Sequence, residues 1–357
     1  MAGKHTDLLL RRQQQLSYKL LLPTFIILSL VAIYPLGDVF VTSFTDREFA
    51  GGAEKVTKFI GFENFFSLLG FTIKELPPAL NPDGSVKVDD KTGKPVYQRA
   101  IQILPRDPYR YRELNQFDWF GKRYVVGARN PEFLNAIGNT LTFTIYSVFL
   151  ETILGLFIAL VVNSNFKAKG ALRTTMLVPW AVITVVSARI WEWMLNPGKT
   201  GFFNMLIYRL GLGDGQSSFL TEAALQMPAM VMVDVWKTAP YMALLLLAGL
   251  QTIPLELYEA TQVDGANKVR QFFAITLPML RPALAVALIF RTLDALRVFD
   301  VFQVLLGSKM YSMATYNYFQ LIQNRQMGMA SAIGVVIFIF IAVFAVLYMR
   351  LMEVEKS

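Results

Sequence analysis

Seven ionisable residues fall inside stretches that are otherwise apolar: Glu151, Asp234, Lys237, Arg291, Asp294, Arg297 and Asp300. At the centre of a lipid-facing helix each would cost about 2.5–3.5 kcal/mol, so they belong against protein or water. Arg291, Asp294 and Arg297 recur at every third position of FRTLDALRVFD, which predicts one charged side of a helix. Phe290, Leu293, Leu296 and Phe299 form the more apolar flank. Such an edge suits the wall of a path for a hydrophilic solute. Trp236 and Tyr241 add flat rings of the kind that pack on sugars. The same charges also have a structural use, because Arg291 can pair with Asp294 and Glu151 can bond to a neighbouring helix. For Asp294 and Arg297 together, the path is the preferred reading.

Other chemistries lack their residues. His5 is the only histidine and there is no cysteine, which leaves no histidine-based metal or catalytic cluster and no thiolate. GKT at Gly198–Thr200 matches the end of a phosphate-binding loop, but Trp193 stands where the earlier glycine is required. No nucleotide-binding signature or nucleophile–base pair emerges, so the chain is expected not to be an enzyme and to hold no cofactor.

These residues need helices that tolerate lipid. Hydrophobic residues make up 54% of the 357 positions and charged ones 17%, against about a quarter charged in soluble domains. Six stretches have the roughly twenty apolar residues a span needs. They run approximately over 18–44, 133–162, 171–195, 225–250, 281–306 and 329–352. The first is too long for a signal-peptide core and lacks a small-residue cleavage site, so it reads as a retained span. The fold class is therefore an all-α membrane protein. Its expected parts are a tail over 1–17, the first span over 18–44, an external loop over 45–131, a core over 132–352 and a tail over 353–357.

Lys and Arg in the short loops orient the chain. Lys4, Arg11, Arg12 and Lys19 before the first span, Lys167, Lys169 and Arg173 after the second, and Lys268, Arg270 and Arg281 after the fourth place those faces, and both termini, in the cytoplasm. The 45–131 segment is also basic, but loops beyond about sixty residues translocate largely regardless of charge. Within it, NPDG reads as a turn and SVKVDDKTGKPVY as a hairpin, giving a small, partly β external insertion. It either braces the outer face or touches an external protein.

The cytoplasmic loop over 251–280 is unusually structured. Pro254, Glu256 and Glu259 suit the start of a helix. Ala260 and Thr261 are small enough for a partner to approach the backbone. Gly265 takes a positive φ cheaply, so it can end one short helix and begin another. Phe272, Phe273 and Ile275 give an apolar face before Pro278. The segment reads as a docking knob, with an ordinary amphipathic loop as the plainer alternative.

Glu259-Ala260-Thr261, then Gly265, then Ile275-Thr276-Leu277-Pro278 resembles the EAA signature of permease subunits in ATP-binding-cassette importers, with Thr261 in place of a second alanine. VWKTAPYMALLLLAGLQTIP and FRTLDALRVFD on either side resemble the trehalose/maltose-type carbohydrate branch. The resemblance covers most of the chain outside roughly 71–129. It implies a six-span type I importer permease in the inner membrane, paired with a second homologous permease. It also implies an external solute-binding protein and two ATPase subunits, which bind the ATP and Mg²⁺. Glu259, Ala260, Thr261, Asp264, Gly265, Ile275, Leu277 and Pro278 become the ATPase-coupling residues. By motif offset, Thr238, Tyr241, Leu293, Asp294 and Arg297 become the sugar-binding set. The implied function is sugar translocation by alternating access. Alternatives are another oligosaccharide or a polyol phosphate as solute, an ion-coupled secondary transporter, or an integral membrane enzyme.

Overall fold

The computed structural model describes residues 2–49, 56–164 and 166–354, with side chains from 14 to 350. The side chain of His5 and the last three residues of the expected tail lie outside these. Among the described residues, five helices are long and apolar enough to cross a membrane: Gln14–Thr42, Pro131–Asn163, Ala223–Leu250, Lys268–Ala295 and Met327–Arg350. They are spans one, two, four, five and six. Span three is a helix pair, Lys169–Ala181 and Thr184–Met194, bent by 89° at its break.

That break corrects the continuous span expected over 171–195. Val182 and Ile183 are extended (ψ of 132° and 134°). Val182 and Ile183 open a run of five β-branched residues, 182–186, whose side chains crowd the preceding turn and weaken helix there. The helix nevertheless resumes at Thr184, so the run alone does not fix the bend. Span five is displaced towards the N-terminus relative to 281–306. It starts at Lys268, passes through a π-helical turn over Phe272–Thr276 and ends at Ala295. The chain then turns before a short helix, Asp300–Leu305. Ser312 Oγ donates to the Val298 carbonyl at 2.7 Å, satisfying a polar group that continued helix would have paired. Arg297 therefore lies in the turn, off the helical edge predicted to carry it with Arg291 and Asp294.

The chain divides into two compact units. One comprises residues 1–67 and 319–336, where Asn64 Nδ2 donates to the carbonyls of Ser43 and Thr45 at 2.9 Å each. The other comprises 68–318 and 337–357 and carries every candidate site residue. In it, span four lies between spans two and five at close range. A Cβ on Gly155 would fall 2.7 Å from Met242, and one on Gly249 would fall 2.3 Å from Ala283. Small residues allow this approach, as is usual where lipid supplies no hydrophobic drive between helices. Phe143, Met230 and Phe302 fill one core cluster, and Met242, Leu246 and Leu280 fill another.

The segment between spans one and two is more ordered than one hairpin and irregular chain. Strands β1 (Phe71–Glu75), β2 (Arg112–Trp119) and β3 (Lys122–Ala128) form an antiparallel sheet in the order β1-β3-β2. The expected hairpin adds bridges between Leu80 and Val86 and between Val88 and Pro95. The β2–β3 turn escaped the sequence reading because its first positive-φ position is Phe120 (47°), where Asn or Asp would have signalled it.

Candidate functional site

Arg291 on span five draws three spans together. Its Nε and Nη2 donate to the two carboxylate oxygens of Glu151 on span two, Nη2 at 2.9 Å. Nη2 also donates to Asp234 on span four, and Nη1 donates to Asp294 one turn along its own helix at 2.9 Å. Thr238 Oγ1 lies 2.5 Å from Glu151 Oε1 and 2.6 Å from the Asp234 carbonyl. Glu151 is 0% exposed and the Arg291 side chain 4%, whereas the Asp294 side chain is 68% exposed. The guanidinium is the natural centre of such a cluster, being always charged and presenting five donors in a rigid fork. Asp294 is thus anchored by Arg291 with its carboxylate still open to a solute.

A recess of about 180 Å³ opens beside the cluster. Its walls include Thr184, Asp234, Lys237, Thr238, Asp294, Arg297 and Asp300. Arg297 is exposed, and its Nε donates to the Leu293 carbonyl at 3.2 Å. Of the sugar set read from the sequence, Thr238, Asp294 and Arg297 come together here. Tyr241 and Leu293 are not among the lining residues. The Tyr241 ring stacks on Trp180 at 5.3 Å, with the planes 8° apart. Trp236, 42% exposed, belongs to a separate apolar recess with Tyr146, Leu150 and Met232. Neither aromatic ring faces the polar recess. Thr184 was missed, since one threonine in an apolar run carries no signal until the chain bends there. Lys237 was singled out only for its charge; its partners are the carbonyls of Trp180 and Val182.

The loop residues separate into a presented and an anchoring group. Helix Leu255–Val263 ends at Gly265 (φ 79°), and Asn267 caps the next turn by accepting from Arg270 N at 2.9 Å. Glu259, Ala260, Asp264 and Gly265 are exposed, and Thr261 is half-buried. Ile275 is buried in the second core cluster, while Leu277 and Pro278 are half-buried at the start of the following helix. Tyr258 Oη and Thr276 Oγ1, 3.0 Å apart, tie the knob to its base. This places a rigid polar surface at one end of span five and the Arg291 cluster near the other.

A model of the family described as "Binding-protein-dependent transport system inner membrane component" matches residues 151–354. The trehalose/maltose transport system permease protein MalF of Thermococcus litoralis is 44% identical over 238 residues, covering 63% of this chain and 76% of the relative. The trehalose transport system permease protein SugA of Mycobacterium tuberculosis is 40% identical over 218 residues, covering 60% and 69%. The sulfoquinovosyl glycerol transport system permease protein SmoG of Agrobacterium fabrum is 30% identical over 344 residues, covering 95% and 91%. Among solved structures, a chain of a bacterial alginate ABC transporter, in complex with an alginate pentasaccharide-bound periplasmic protein, superposes with a TM-score of 0.67. Its identity is 22%, over 94% of this chain and 93% of that one, a likeness of fold.

Proposed function

This chain belongs to the binding-protein-dependent transport system inner membrane components, and from that membership we propose that it is a permease subunit of a carbohydrate ATP-binding-cassette importer. It pairs with a second, homologous permease and takes solute from an external binding protein. Two separate ATPase subunits bind ATP and Mg²⁺ and drive the cycle.

The observation that carries the reading is the helix that runs unbroken from Lys268 to Ala295. At 1.5 Å per residue, Lys268 and Asp294 are about 39 Å apart along it. Displacement of the Glu259–Gly265 knob by an ATPase therefore reaches the polar recess as movement of one rod. The knob must make different contacts in the inward- and outward-open states, since only such a difference lets ATP shift the equilibrium. Glu259, Ala260, Asp264 and Gly265 form the docking surface. Thr261, Ile275, Leu277 and Pro278 fix its geometry.

The proposed solute is trehalose, maltose or a related α-glucoside, supported by the relatives named for those sugars. The recess has Asp234, Asp294 and Asp300 against Lys237, Arg291 and Arg297, a balance that suits neutral hydroxyls better than an anion. A sugar hydroxyl donates to Asp294 or to Thr238, whose own proton is held by Glu151 and the Asp234 carbonyl, and accepts from Arg297. Tyr241 and Leu293 stand on the same two helices, outside the recess in this conformation. The test is ATP hydrolysis by the reconstituted complex across a panel of sugars. Stimulation by trehalose or maltose, and none by an anionic oligosaccharide, supports the assignment. A rate that ignores every sugar overturns it.

A further inference from the structure

The break in span three removes hydrogen bonds that must be replaced. In a continuous helix the Trp180 carbonyl would accept from the N–H of residue 184, and the Val182 carbonyl from that of residue 186. The extended backbone at Val182 and Ile183 removes both partners, and the new helix begins with Ser187 N donating to the Ile183 carbonyl at 3.0 Å. Carbonyls without donors at membrane depth cost several kcal/mol each, so irregular backbone survives there only where protein or a cavity satisfies it. Here one side chain supplies both donors. Lys237 Nζ, on span four, donates to the Trp180 carbonyl at 3.2 Å and also to the Val182 carbonyl.

One turn further along span four, Tyr241 stacks on the Trp180 ring. Span four thus holds the corner twice, by its carbonyls and by its indole. Lys237 is only 9% exposed, yet it lines the same recess as Asp234, Asp300 and Thr184, the first residue after the break. Its ammonium has three donors on a flexible stem, so it can exchange a carbonyl for a carboxylate as the recess changes shape.

We propose that Lys237 is a positioning residue that pins the Ala181–Thr184 corner of span three to span four, with Tyr241 as its second fastening. The β-branched run of span three weakens the helix, and span four then holds the bend beside the solute recess. This rests on the reading of the recess as a transport path. It assigns Tyr241 a role in holding Trp180, distinct from direct contact with sugar.

The chain contains no cysteine, so one introduced thiol is its only labelling site, and labelling is read on this subunit after separation from its partners. In the whole complex in proteoliposomes, Thr184→Cys is labelled with a membrane-impermeant maleimide without nucleotide. The expected result is that Lys237→Met speeds or slows labelling by about five-fold or more, the equivalent of roughly 1 kcal/mol in the corner's equilibrium. Lys237→Arg, which keeps the charge and two donors, should restore most of the original rate. An unchanged rate in Lys237→Met overturns the proposal. If that variant does not assemble, Lys237→Gln serves in its place, since its shorter amide cannot reach both carbonyls and the same shift is expected. Labelling needs no sugar, so an error in the proposed solute would leave this outcome intact, whereas loss of uptake with unchanged labelling would count against the pin alone.

Discussion

The guanidinium of Arg291 grips both carboxylate oxygens of Glu151 across the interface between spans five and two. Both groups are almost wholly shielded, and Asp234 and Asp294 complete the ring of acceptors. Such a fork adds specificity of geometry as well as energy, because two parallel bonds fix the rotation of each helix. The gain in net stability is smaller, since two charges have been taken out of water. What the pair does securely is hold Asp294 in place beside the recess.

Removing the central cation should therefore hurt more than removing one of its acceptors. Arg291→Met leaves Glu151 and the nearly buried Asp234 without their cation and should destabilise the subunit by about 3–5 kcal/mol. Glu151→Gln, which leaves Arg291 its bonds to Asp234 and Asp294, should cost clearly less. Thermal unfolding of the purified complex checks both variants side by side.

Asp294 should behave differently, since its carboxylate is largely open. Asp294→Ala is expected to reduce sugar uptake at least ten-fold, about 1.4 kcal/mol or more of lost interaction, while assembly with the ATPase is retained. Uptake and copurification are measured on the same preparation. A complex that falls apart would make Asp294 a structural lock instead.

At Gly265 the question is conformation rather than space. Its φ is 79°, and a Cβ placed there would meet no atom within 4 Å, so a side chain fits without collision. Valine would still be disfavoured in the left-handed region, by about 1–2 kcal/mol, whereas asparagine tolerates it. Gly265→Val should insert normally yet lose sugar-stimulated ATP hydrolysis; Gly265→Asn should keep most of it.

Gly155 and Gly249 should fail by collision. A side chain at Gly155 meets Met242, and one at Gly249 meets Ala283 and Leu280. Gly249→Val should cost about 1–3 kcal/mol from overpacking and lower the yield of folded subunit. Gly265→Val, in open space, should not change that yield. Size-exclusion profiles of the two variants make the comparison.

The spans were legible because lipid demands long apolar runs, and the intramembrane charges because lipid penalises them. Arg291 and Asp294 could be found from that penalty alone. Glu151 and Asp234 could be named but not joined to Arg291, since pairing across 140 residues depends on how three helices pack. The bend at Val182 and the end of span five at Ala295 were hidden. The first occurs in apolar sequence and the second in a helically spaced charged stretch, and both are stabilised by donors from elsewhere in the chain, Lys237 and Ser312. The rings of Tyr241 and Trp236 were legible as residue types, but the faces they turn towards were not. In the loop, Gly265 declared its own φ, whereas the division between exposed Glu259 and buried Ile275 required the second core cluster.

In the proposed cycle, ATP hydrolysed by a partner drives a sugar past Asp294. Uptake of labelled trehalose and of labelled maltose into proteoliposomes holding the full complex and its binding protein tests this most directly, with ATP either enclosed or withheld. The predicted result is uptake of at least one sugar only with ATP, and its loss in Gly265→Val. Uptake driven by an ion gradient without ATP would contradict it.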